Sequence, residues 1–230
     1  THLGMPLCIV KTVRDAAFNG NLKREKEFQE NIIARGTCTV PQVYFDGLIG
    51  GRYVYAEEVI EGTILSRKLA QKREREIVDF IRAFPVGGRM ETKDIAAVLS
   101  GYVPADDTHI FSLTKHLRHK NVTLKKGITH SEFGRPNIIA SREKLYVIDW
   151  ERAGDLPFWL IDAVYFMVKQ RDIKGLDDWR HRGVPAFLQY TGADVKTATA
   201  LYCILTVCDI LYKKYPERYA ATVKHFSSHN

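Results

Sequence analysis

Between Ile128 and Phe166 the chain gathers groups able to hold a metal ion and act on a hydroxyl: ITHSEFGRPNIIASREKLYVIDWERAGDLPFWLIDAVYF. His130, Glu132 and Asn137 fall in a stretch that reads as a loop, ahead of an apolar strand over Leu145 to Ile148. Asp149 and Glu151 follow at that strand's end, and Asp162 interrupts an otherwise apolar helix. A carboxylate, an amide and a second carboxylate on two adjoining loops can bind a divalent cation and orient a hydroxyl. Phosphoryl transfer asks for that combination, because its catalysis is mostly positioning and charge stabilisation.

Such groups need a frame, and the pattern of the chain supplies one. Leu7 to Lys11 reads as a short apolar strand ending in a lysine. A helix over Asn21 to Phe28 follows, with Leu22, Phe28 and Ile32 as a rough apolar stripe. Val43 to Phe45 and Tyr53 to Tyr55 read as two strands around a turn at Gly47 to Gly51. Thr63 to Phe84 reads as helix, with Ile77, Phe80, Ile81 and Phe84 at the spacing of a packed face, and Pro85 to Gly88 breaks it. Shorter helices are expected over Asp94 to Leu99 and Asp107 to His119. Beyond Gln170 lie Asp177 to Leu188, a strongly apolar helix over Ala198 to Tyr212, and an amphipathic one over Glu217 to Phe226.

HSEFGRPNII followed by VIDWE resembles the HGDxxPxNIL…IDWE signature of the aminoglycoside phosphotransferase and choline kinase families, small-molecule relatives of the protein kinases. The resemblance extends over roughly residues 5 to 170. It implies a two-lobed, protein-kinase-like α+β fold: a small antiparallel β-rich N-lobe over 1–60 and a larger helical C-lobe over 61–230. It implies ATP and magnesium as cofactors and a small-molecule hydroxyl as acceptor. Lys11 stands where the family holds the α- and β-phosphates. Glu25 stands where it places the lysine's partner, with Glu27 as the alternative. The stretch Glu57 to Gly62 resembles the connector between lobes, where backbone groups of Glu58 and Ile60 would meet the adenine.

By the same resemblance Glu132 takes the place of the catalytic aspartate, and His130 props its loop or shuttles a proton. Asn137 binds magnesium through its amide oxygen, Asp149 bridges metal and phosphate, and Glu151 serves a second metal or faces the acceptor. Asp162 would bond backbone amides of the catalytic loop. Two features depart from the pattern. Glutamate at 132 matches aspartate in acidity to within ~0.4 pKa units, but its extra methylene moves the carboxylate by roughly an ångström, a misplacement able to cost on the order of 10²-fold in rate. Only six residues precede Leu7, too few for the glycine-rich hairpin with which kinase-like lobes begin. The chain is therefore expected to lack that hairpin or to be a fragment. An enzyme is the first reading; a kinase-like binding or regulatory module that has lost efficient transfer is the second.

Composition bounds the remaining choices. A chain of 230 residues, 45% hydrophobic and 27% charged, fits a globular protein with one sizeable core or two lobes. The longest apolar run is read as Leu156 to Val168, too short to span a membrane and broken by Asp162. Cys8, Cys38, Cys203 and Cys208 have neither disulfide nor zinc spacing and read as reduced thiols of a cytoplasmic protein. The net charge of +7 is uneven. Lys115, Arg118, Lys120, Lys125 and Lys126 occupy an acid-free stretch between Asp107 and Glu132. This reads as a solvated helix face or a surface that attracts phosphate. No recognised nucleic-acid motif accompanies it, which argues against that partner. Lys213, Lys214, Arg218 and Lys224 in the tail argue against a polycationic aminoglycoside and for a neutral or anionic sugar-like acceptor.

Overall fold

The computed structural model describes residues 8–35, 39–104, 106–142 and 144–227. In chain order, β1 (Ile9–Thr12), α1 (Asn19–Arg35), β2 (Val43–Ile49), β3 (Arg52–Glu57), β4 (Thr63–Ile64) and α2 (Arg67–Lys72) come first. Then follow α3 (Glu74–Arg82), β5 (Val86–Glu91), α4 (Thr92–Tyr102), α5 (Thr108–Arg118), β6 (Thr123–Gly127), β7 (Ile138–Ala140) and β8 (Leu145–Val147). The remainder is helical: α6 (Ile161–Arg171), α7 (Leu176–Asp178), α8 (Val184–Thr191), α9 (Val195–Lys214) and α10 (Pro216–Ser227). The chain forms two compact units: residues 1–72 with 134–153, and residues 73–133 with 154–230.

The first unit is built on an antiparallel sheet in the order β1-β3-β2. Lys11 pairs with Tyr55 and Ile9 with Glu57, so Lys11, Tyr55 and Glu57 share one face of the sheet. Tyr55 and Glu57 are buried there. Helix α1 lies in the same unit, and Leu22, Glu25, Gln29 and Ile32 are its buried positions, at helical spacing. The buried row thus carries two polar residues, while Phe28 is only half-buried. A second sheet runs β4-β7-β8. Thr63 and Ile64 pair with Ala140 and Ile139, which corrects the expected helix from Thr63 onward. Two β-branched residues find strand partners there, and helix begins only at Arg67. This pairing draws residues 134–153 into the first unit, so the units do not divide at a single cut near residue 60.

The second unit is mainly helical, with α4, α5, α6, α9 and α10 around a core that includes Leu99, Leu117, Phe166, Ile204 and Phe226. A two-stranded sheet of β5 and β6 was not expected from the sequence. Its strands read VGGRME and TLKKG, and neither alternates apolar with polar residues. The run of lysines is consequently no continuous surface. Lys126 is buried and donates to the Phe226 carbonyl at 3.3 Å, while Lys125 lies over the Trp159 ring at 4.8 Å. Helix α9 is long and apolar enough to cross a membrane by length and composition, though 61% of that stretch is buried within the protein. Among the described residues it is the one helix of that length and apolarity, whereas Leu156 to Val168 is helical only from Ile161.

Candidate functional site

The first unit holds a cavity of about 620 Å³ whose walls include Lys11, Glu25, Glu57, Glu58, Ile60, Asp149 and Glu151. Sheet register and helix phase explain the convergence. Lys11 reaches from β1 across the sheet face toward α1, and its ammonium lies 2.6 Å from Glu25 Oε1. Glu27 instead pairs with Lys23 on the exposed side of α1 at 3.9 Å. A second acid also reaches Lys11: Glu57 Oε1 lies 3.2 Å from Nζ. The other Glu57 oxygen accepts from Gln29 Nε2 at 3.0 Å. Burial works against the Lys11 charge, but the two carboxylates outweigh it and raise its pKa above the usual lysine value. The Tyr55 ring lies beneath the ammonium at 5.5 Å. Burial and then the charges of Glu25 and Glu57 raise the Tyr55 phenol's pKa, and the charge of Asp149 adds to them.

Asp149 follows β8 in the left-handed backbone region, at φ 65°. Aspartate tolerates that conformation better than most residues, because its short side chain can bond locally. Helix α1 anchors the segment: Glu25 Oε1 accepts from the Trp150 N–H at 3.3 Å, and Arg24 donates to the Glu151 carbonyl at 2.9 Å. Glu25 thus links Lys11 directly to the residue after Asp149. Asn137 ends a 3-10 turn with Pro136 in its first positions, and its carbonyl accepts from Ile148 N–H at 3.0 Å. That bond sets Asn137 and Asp149 at the same end of the β7–β8 hairpin, although Asn137 is not a wall of the cavity. The Glu58 N–H donates to the Gln42 carbonyl at 2.8 Å, and its carboxylate accepts from Gln42 N–H at 3.3 Å.

Amide and carboxylate oxygens are hard donors suited to magnesium, which takes one or two carboxylates and fills its shell with phosphate oxygens and water. Asn137, Asp149 and Glu151 fit that demand by type. Among the described residues no three His, Cys, Asp or Glu side chains gather as a metal cluster.

In the second unit the loop bearing His130 and Glu132 is held rigidly. Asp162, at the start of α6, accepts from the backbone N–H groups of His130 at 2.7 Å and Ser131 at 2.9 Å, as expected for it. Ser131 sits at φ 66°, and its hydroxyl accepts from Leu156 N–H at 3.0 Å. Thr129 Oγ1 donates to the Leu156 carbonyl at 2.9 Å. His130 is fully buried, its ring edge-on to Phe133 at 5.8 Å. Glu132, immediately after the strained Ser131, is half-buried. Burial pushes the Asp162 carboxyl up to about 7 against the two N–H bonds that favour its ionised form. In the tail, Lys213 and Lys214 are engaged with Asp209 at 2.7 Å and Asp107 at 3.6 Å, which weakens the charge argument about the acceptor.

Sequence reasoning missed Glu57 and Gln29. The available signal was parity: Tyr53, Tyr55 and Glu57 alternate along one strand, and Gln29 lies four residues after Glu25. Leu7, Gly36 and Cys38 lie outside the described residues, as does the segment in which a glycine-rich hairpin was looked for. Among the described residues, Cys8, Cys203 and Cys208 form no disulfide.

No family model matches the sequence, and a search of curated proteins finds no match. Solved structures do match. An aminoglycoside phosphotransferase from Streptomyces rimosus superposes with a TM-score of 0.55 at 16% identity, covering 86% of this chain and 84% of that one. A proposed fructosamine-3-kinase from Haemophilus somnus gives 0.55 at 13% identity, covering 96% and 83%. An aminoglycoside phosphotransferase in ternary complex with ADP and hygromycin B gives 0.51 at 12% identity, covering 95% and 84%. The chain therefore has the protein-kinase-like α+β fold of these small-molecule kinases.

Proposed function

We propose that this chain, built on the fold of small-molecule kinases, transfers the γ-phosphoryl group of ATP to a hydroxyl of a small, sugar-like molecule. One observation carries the reading: Lys11, Glu25 and Asp149 line a single cavity, and Glu25 bonds both the Lys11 ammonium and the backbone beside Asp149. A lysine held this way is aimed, and an aimed ammonium contributes to positioning that a freely rotating one cannot. Lys11 holds the phosphates, and Asp149, with Asn137 and Glu151 as further oxygen donors, would hold magnesium. When bound, that ion neutralises charge on the β- and γ-phosphate oxygens. Ile60 and the carbonyl of Glu58, on the same cavity's wall, receive the base.

Glu132 accepts the hydrogen bond and proton of the acceptor hydroxyl, and Asp162 keeps its loop in place through the His130 and Ser131 amides. The double hold on Lys11 favours a second reading, a nucleotide-binding module without efficient transfer. Labelled γ-phosphate supplied with magnesium and a panel of sugars and amino alcohols separates the two. Transfer of label to at least one acceptor, abolished in Glu132→Ala, is the expected result. Nucleotide binding without transfer to any acceptor would favour the module.

A further inference from the structure

We infer that Glu57 is a positioning residue that competes with nucleotide phosphate for the Lys11 ammonium. The inference rests on the nucleotide reading above and goes beyond it by assigning the second acid a role opposite to that of the first. Both carboxylates touch Lys11, at 2.6 Å for Glu25 and 3.2 Å for Glu57. They differ in what else they hold. Glu25 also accepts from the Trp150 amide, beside Asp149, so it ties the ammonium to the segment that faces the cavity. Glu57 is 1% exposed, and its second oxygen is held by the wholly buried Gln29, so it draws the ammonium back between sheet and helix.

Charge sets the consequence. One ammonium between two buried carboxylates leaves a net negative charge, and Glu58 and Asp149 on the same walls add to it. A phosphate approaching Lys11 meets like charge and finds one of the three N–H donors of the ammonium open, so it gains full contact when one carboxylate gives way. Glu57, at the longer distance, is the one that yields. Glu25, at 2.6 Å and bonded to the Trp150 amide as well, stays. The carboxylate on Lys11 therefore sets a threshold: phosphate binds well once a cation offsets the acids, and poorly without one.

Two glutamine variants remove one negative charge each and should act differently. Affinity for ADP without metal is measured in the wild type, Glu57→Gln and Glu25→Gln, alongside the pH profile of Lys11 acylation read by mass spectrometry. Glu57→Gln should tighten ADP by about tenfold and let Lys11 react at lower pH, since one of the two charges raising its pKa is gone. Glu25→Gln should not tighten ADP. Equal or weaker binding by Glu57→Gln, an unmoved Lys11 profile, or equal tightening in both variants would overturn the assignment. If none of the three proteins binds ADP with or without magnesium, the proposed function fails and the competition with it. Failure of Glu57 alone, with wild-type binding intact, leaves that function standing.

Discussion

Asp162 shows how a single residue can be read in both stability and mechanism. Its carboxyl accepts two backbone N–H bonds yet is fully buried, and burial wins, lifting its pKa to about 7 from an ordinary 3.8. A folded-state pKa above the unfolded value means the folded chain binds the extra proton between these limits. The stability tied to that proton is complete below about pH 4 and is lost as pH rises through 7, by roughly 4 kcal/mol across the window. Urea unfolding of the wild type and Asp162→Asn at pH 5 and pH 8 should give a larger stability gap at pH 5. An equal gap at both would contradict the assignment. Glu132 carries a kinetic prediction. The loop before it is pinned at Ser131, so Glu132→Asp retracts the carboxylate by about an ångström and should lower kcat by on the order of 10- to 100-fold. KM for ATP should stay unchanged, and a rise in kcat would show that glutamate is not adapted to this site. The hold of Asp162 on its loop was legible because an acid inside an apolar helix needs such partners, and Asn137 and Asp149 stood out because short motifs name them. Glu57 was not, because Glu57, Glu58 and Glu61 look alike until strand pairing fixes which one faces Lys11.

At the level of elements, the strongly periodic helices were readable and the short strands were not. Helices α9 and α10 follow from apolar spacing, whereas β5 and β6 contain glycine and lysine in place of an alternating pattern. Strand β4 is two residues long and exists through its pairing with β7. Gly62, just before it, shows how tight that pairing is. A Cβ there would lie 2.6 Å from the Ala140 carbonyl oxygen, which is backbone and has little room to retreat. Gly62→Ala should lower stability by about 1–3 kcal/mol, seen as a drop in the urea midpoint. Gly101, near the end of α4 with nothing within 4 Å, is the contrasting case. Gly101→Ala should raise stability by up to about 1 kcal/mol through helix propensity. An unchanged midpoint for Gly62→Ala would mean that β4 can shift away from β7.

On the scale of the whole molecule, a net charge of +7 coexists with a cavity whose charged wall residues are one lysine and five acids. The excess of basic residues therefore does not by itself make this cavity attract phosphate. Lys126 is buried, and Lys213 and Lys214 are paired, so the basic runs seen in the sequence dissolve into local contacts. On the proposed function, affinity for a polyphosphate comes from Lys11 and from a cation held by Asp149. Any ligand bound only by the folded chain stabilises it, by about 2.7 kcal/mol at 100 times its dissociation constant. For a chain of this size that corresponds to a melting shift of roughly 5–10 °C. Thermal melting with saturating ATP, with and without magnesium, in the wild type and Asp149→Ala is therefore the decisive measurement. The account predicts a shift of that size in the wild type that requires magnesium and disappears in the variant. No shift at millimolar ATP, or the same shift in Asp149→Ala, would contradict it.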